Sequence, residues 1–81
     1  GDVRVGVGAR IGSGARIVGP SVLGDGVVLG ERAVIERSIV WNEAWIGAGA
    51  VVRDTIVGEG YTVADGATLV DAIVANEPAP A

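Results

Sequence analysis

Eighty-one residues leave room for one small domain, and a chain this short buries only a modest core. The absence of Cys rules out a disulfide framework and thiolate metal sites, and the absence of His removes the commonest general base and transition-metal ligand. A net charge of −4, with acids and arginines interspersed, argues against nucleic-acid binding, and no apolar run approaches the roughly 18 residues of a membrane span.

Along the chain an aliphatic residue followed by glycine keeps returning: Val5-Gly6, Ile11-Gly12, Leu23-Gly24, Leu29-Gly30, Ile46-Gly47 and Val57-Gly58. Each opens a unit of the form aliphatic-Gly-x-Gly-small-x or a close variant. A short repeat of this kind predicts a coiled chain, not one folded around an irregular core. The period is not a pure six, because the units opened by Ile35, Val52 and Leu69 are shorter by one residue and start 17 residues apart. One coil therefore spans 5–22, followed by coils 23–39, 40–56 and 57–73, with 74–81 as a C-terminal end. Three short segments per turn predict an all-β triangular solenoid, a parallel β-helix of about four coils, its strands stacked roughly 4.8 Å apart. Scattered glycines exclude a helix, and the dinucleotide fingerprint fails because its third glycine is missing after Gly6-x-Gly8 and Gly24-x-Gly26.

Within this register the opening aliphatics point inward: Val5, Ile11 and Ile17, then Leu23, Leu29 and Ile35, then Val40, Ile46 and Val52, then Val57, Val63 and Leu69. Ala9, Ala15, Ala33, Ala44, Ala50 and Ala67 fill a second, smaller inward position. Glycines take the corners, where a positive φ penalises a Cβ. Ser21, Ser38 and Thr55 form a column ending in Ala72, read as the small inward position of the short unit and bonded to neighbouring backbone. Tyr61 stacks over Ala44, a slot too small for a buried ring, and is expected to distort the wall or turn outward.

Three outward columns are apolar or nearly so: Val22, Ile39, Ile56 and Ile73; Val28, Trp45 and Thr62; Val34, Val51 and Thr68. A contiguous exposed apolar patch marks a contact surface, although β-branched residues also favour strands whichever way they point. The first column has no polar interruption and is the leading interface candidate. Trp41 takes a slot where other coils have glycine and is expected to project from a corner. Trp41 and Trp45 read either as interface anchors or as covers for a corner of the prism. Glu36 stacks below Arg53, and Arg37 below Asp54, which itself lies below Asp71. Two cross-coil ion pairs of opposite polarity follow, and with Arg37 at hand the Asp54/Asp71 pair is not read as catalytic.

Units such as Ile11-Gly12-Ser13-Gly14-Ala15-Arg16 and Ile46-Gly47-Ala48-Gly49-Ala50-Val51 resemble the hexapeptide repeat of left-handed parallel β-helices. The stretches Gly19–Gly26, Glu36–Trp41 and Val51–Gly58 resemble the C-terminal domain of sugar-1-phosphate nucleotidylyltransferases, the mannose-1-phosphate guanylyltransferase type most of all. Left-handedness is implied by this resemblance alone. So is the absence of a catalytic site, since those enzymes hold theirs in an N-terminal nucleotide-binding domain to which nothing here corresponds. Hexapeptide acyltransferases and γ-type carbonic anhydrases share the coil but act through histidines, and this chain has none.

The expectation is a non-catalytic, cytoplasmic domain with no cofactor, metal, nucleic-acid or membrane partner, forming a homo-oligomer through flat apolar faces. A missing catalytic domain would cover the N-terminal edge, where Gly1–Arg4 offers no stop to strand pairing. Pro78 and Pro80 would end pairing at the other edge. The alternatives are an engineered scaffold or a regulatory, ligand-binding module acting between subunits.

Overall fold

The computed structural model describes residues 1–76, and the prolines expected to stop pairing, Pro78 and Pro80, lie outside them. The first turn carries β1 (Val3–Val5), β2 (Arg10–Ile11) and β3 (Arg16–Val18), and the second β4 (Ser21–Leu23), β5 (Val28–Leu29) and β6 (Val34–Glu36). The third carries β7 (Ile39–Val40), β8 (Trp45–Ile46) and β9 (Val51–Arg53). The fourth carries β10 (Ile56–Val57), β11 (Thr62–Val63) and β12 (Thr68–Val70), and β13 (Ile73–Val74) starts a further turn. All pairing is parallel and between turns. It gives a five-stranded face, β1-β4-β7-β10-β13, and two four-stranded faces, β2-β5-β8-β11 and β3-β6-β9-β12.

On the five-stranded face Val5 pairs with Leu23, Leu23 with Val40, Val40 with Val57 and Val57 with Val74. The first step is therefore 18 residues and the later ones 17, the difference falling at Gly19-Pro20, where the other turns use one residue fewer. Alternation along each strand sends one residue inward and its neighbours outward. Leu23, Leu29, Ile35, Val40, Ile46, Val52, Val57 and Val63 are buried, joined by Ala33, Ala44 and Ala50. Val27 fills the small inward slot in the second turn and is fully buried.

The inward expectation fails at the N-terminal end. Val5 and Ile11 are exposed, because inward aliphatics gain cover from the turns above and below and the first turn has a neighbour on one side only. Tyr61 does not distort the wall: its N–H donates to the Gly58 carbonyl at 3.2 Å and its carbonyl accepts from Trp45 N–H at 2.9 Å. Its ring packs partly buried against the core at the upper end of the stack.

The glycines divide into two classes, and only one has positive φ. Gly8, Gly14, Gly26, Gly49, Gly60 and Gly66, each three residues after the inward aliphatic that opens its unit, have φ of 67–75°. The first glycines are needed for space, since the next turn lies against them: a Cβ on Gly12 would come within 2.7 Å of the Glu31 nitrogen. The corner of the short unit uses no glycine at all, and Arg37, Asp54 and Asp71 turn it with φ of 46–53°.

Ser21, Ser38 and Thr55 are buried inside that corner and form a hydroxyl ladder. Ser38 N–H donates to Ser21 Oγ and Thr55 N–H to Ser38 Oγ, both at 3.1 Å, and Ala72 N–H donates to Thr55 Oγ1 at 3.3 Å. Each hydroxyl donates in turn to a carbonyl of its own turn: Ser21 to Val18 at 2.7 Å, Ser38 to Glu36 at 2.8 Å, Thr55 to Arg53 at 2.7 Å. Ser38→Ala strands the buried Thr55 N–H and should destabilise the fold by roughly 1–3 kcal/mol. Ser38→Thr, which copies the turn above, should cost much less. Urea unfolding of the two variants at unchanged m-value checks this.

Candidate functional site

A column of exposed apolar residues runs up the five-stranded face. Val22, Ile39 and Ile56 are stacked in register and are 41%, 38% and 37% exposed, and Ile73 at the upper end is 79% exposed. Flat parallel pairing holds the column straight, because each residue repeats the backbone geometry of the one below. The column Val28, Trp45 and Thr62 lies on the second face and Val34, Val51 and Thr68 on the third. Trp41 projects from the corner where the five-stranded face ends, and Trp45 lies on the second face; both are exposed. The two tryptophans therefore do not share a flat surface.

The opposite border of the five-stranded face is charged. Arg37 grips Asp54 with two hydrogen bonds, Nε to Oδ1 at 2.8 Å and NH2 to Oδ2 at 3.1 Å, and approaches Glu36 at 3.8 Å. Arg53 Nε lies 3.2 Å from Glu36 Oε2. The two cross-coil pairs thus join into one chain of charge, Arg53–Glu36–Arg37–Asp54. Through that hydrogen bond the Arg37 guanidinium holds the Asp54 carboxyl below the usual carboxylate range, and Asp54 in turn raises Arg37. Arg37, Arg53 and Asp54 are exposed and Glu36 is half-buried, so the pairs fix register more than they stabilise. Asp71, next up the column, has no ion pair among the described residues.

At the lower end of the same face a groove of about 390 Å³ opens, its lining combining Pro20, Val22 and Ile39 with Asp2, Arg4 and Arg37. Arg4 has no ion pair among the described residues.

One set of working side chains was not anticipated. Asp25, Asn42 and Asp65 use Oδ1 to accept the N–H of Val7, Asp25 and Ala48 in the turn below, at 2.8–2.9 Å. A signal for them exists in the sequence: Asp or Asn recurs immediately after the corner position that follows an inward aliphatic, in Gly24-Asp25, Trp41-Asn42 and Ala64-Asp65. Each of these side chains completes the hydrogen bonding of a neighbouring turn.

Among the described residues no three His, Cys, Asp or Glu side chains gather as a metal site, and every buried side-chain nitrogen or oxygen has a partner. No helix among them is long and apolar enough to cross a membrane. What remains is a stack of hexapeptide turns whose distinctive surface is an apolar face with one charged border. This is a hexapeptide-repeat β-solenoid domain. The family of GMPPB C-terminal domains matches residues 1–79. The chain belongs to that family, the left-handed hexapeptide-repeat β-helix at the C-terminal end of mannose-1-phosphate guanylyltransferases, and is thereby a nucleotidyltransferase C-terminal domain. Comparison with curated proteins returned no match.

Proposed function

We propose that the chain is a structural, non-catalytic assembly domain that associates with a second copy of itself through the five-stranded face. The observation that supports this reading is the column of Val22, Ile39, Ile56 and Ile73, stacked in register on the five-stranded face and exposed at every level. Burying such a column on a partner removes apolar surface from water, the main favourable term in protein association. Trp41 borders this face as a rim anchor, and Trp45 lies outside it. The catalytic residues of the nucleotidyltransferase served by this domain lie on another domain, so no cofactor or metal is assigned here, and the domain works in the cytoplasm.

Light scattering after size-exclusion chromatography tests the reading. Wild type should show a discrete oligomer at high concentration, and Ile56→Glu, which places a carboxylate in the middle of the column, should shift the mass to monomer with an unchanged circular-dichroism spectrum. A wild-type chain that stays monomeric at every concentration would overturn the assembly role.

A further inference from the structure

The middle of the five-stranded face carries a different group on each border. The chain there runs Arg37-Ser38-Ile39-Val40-Trp41, so Arg37 and Trp41 stand two residues to either side of the central Ile39. On the Trp41 border the register places Gly24 one turn below and Gly58 one turn above, and Trp41 is the one large side chain of that column. It is 54% exposed. On the other border Asp54 grips Arg37 through Nε and NH2. That grip uses the edge of the planar guanidinium and leaves its faces free to stack, and it already restricts a side chain that a new contact would otherwise have to order. From this, and resting on the assembly reading above, we infer that two copies pair with their solenoid axes parallel, each Trp41 stacking on Arg37 of the second copy. The two-fold axis runs up the column of Val22, Ile39, Ile56 and Ile73.

Such an axis keeps the levels of the stack and exchanges the borders of the face. Each column residue meets its own counterpart, and the Arg37–Trp41 contact is made twice, as a self-complementary interface requires. Trp is the strongest aromatic partner for a guanidinium, and the contact gains as water is excluded around it. Facing sheets pack roughly 10 Å apart, a gap that long side chains at the rim can bridge. At the levels above and below, the Trp41 border offers Gly24, Gly58 and Ala75, so Pro20, Asp54 and Asp71 come against small residues. Two like-charge approaches come with this arrangement. Asp54 nears Glu59, which follows Gly58, but keeps its own Arg37. Arg4, with no ion pair among the described residues, meets Arg4 of the second copy. With axes antiparallel, each border would meet its own kind, and Arg37 would find no indole. A face five strands high spans roughly 20 Å, so the pair lies at the small, weak end of specific interfaces, and its dissociation has to be followed over a concentration series.

Sedimentation equilibrium on Arg37→Asn, Trp41→Ala and their equimolar mixture tests the pairing. Asn tolerates the φ of 46° at position 37. Each variant alone loses both stacking contacts and should associate several-fold more weakly than wild type. A mixed pair regains one of them, Arg37 of one chain on Trp41 of the other. The mixture should therefore associate about fivefold more tightly than either variant alone. A purely local role for these side chains predicts no gain on mixing, as does an antiparallel pair, and that outcome overturns the proposal. Arg4→Ser removes a like-charge contact and should tighten the pair; looser association would count against the shared level of the two Arg4 residues and overturn the parallel register. Because the chain has no Cys, Ile39→Cys and Ile56→Cys give a second reading that leaves the borders untouched. In their mixture a short bis-maleimide should join 39 to 39 and 56 to 56 more readily than 39 to 56, and the reverse preference overturns the proposal. Monomeric wild type in the same runs would instead sink the assembly reading itself.

Discussion

Replacing Ile35 with Ala is expected to destabilise the solenoid by roughly 2–5 kcal/mol, while Val5→Ala on the same kind of inward position costs well under half as much. The two positions differ in what surrounds them. Ile35 is fully buried, with Ile17 in register below and Val52 above, whereas Val5 is exposed and covered only by Leu23. A cavity at Ile35 cannot be filled by collapse, because each turn is held at the ladder spacing of its neighbours. In a stack where each turn contacts only the next, a weak middle turn also uncouples the halves on either side. Small domains have only about 5–15 kcal/mol in total, so Ile35→Ala should lower the urea midpoint sharply and lower the m-value too, as the two halves begin to melt separately. A midpoint shift no larger than that of Val5→Ala would mean that the core at Ile35 relaxes, and that the turns are less tightly tied than their hydrogen bonds imply.

How far the sequence could be read follows from what repeats. The inward and outward columns were legible because register in a parallel stack is set by arithmetic. Once Leu23, Val40 and Val57 are seen at a 17-residue spacing, every residue between them has an assigned neighbour. The hydroxyl ladder was legible for the same reason, Ser21, Ser38 and Thr55 being one column of small polar residues in an otherwise apolar interior. What the period does not carry is position along the stack. Val5 and Ile11 have the same pattern as Leu23 and Leu29, yet they are exposed, because burial depends on a neighbouring turn and not on the unit itself. The groove was hidden for a related reason, since Pro20, part of the turn that is one residue longer than the others, lines it and departs from the repeat. The Asp25, Asn42 and Asp65 acceptors could have been found from their spacing, but charge patterning drew attention to the arginine pairs, which face solvent and do less.

The glycines bear on the same distinction between local geometry and stacking, and they separate cleanly by mutation. Gly30→Ala should cost about 3 kcal/mol, at the upper end of overpacking penalties, and Gly49→Ala about 1 kcal/mol, the strain of a Cβ in the left-handed region. Gly30 does not have positive φ. Its constraint is the turn above, where a Cβ would lie 2.5 Å from the Ala48 nitrogen and 2.7 Å from its Cα. Those atoms are backbone, held by ladder bonds such as Gly30 N–H to the Ile46 carbonyl at 2.7 Å, so the clash is relieved only by prising two turns apart. Gly49 has φ of +70°, but a Cβ there meets nothing within 4 Å, and Arg32 and Glu43 already occupy equivalent corners with φ of 59° and 62°. The chain itself contains the control. Ala64 stands in the register of Gly12, Gly30 and Gly47, one turn further up, and no described turn lies over it. A thermal melt of both variants decides the matter. If Gly49→Ala proved the costlier, backbone conformation and not the approach of successive turns would be what reserves these corners for glycine.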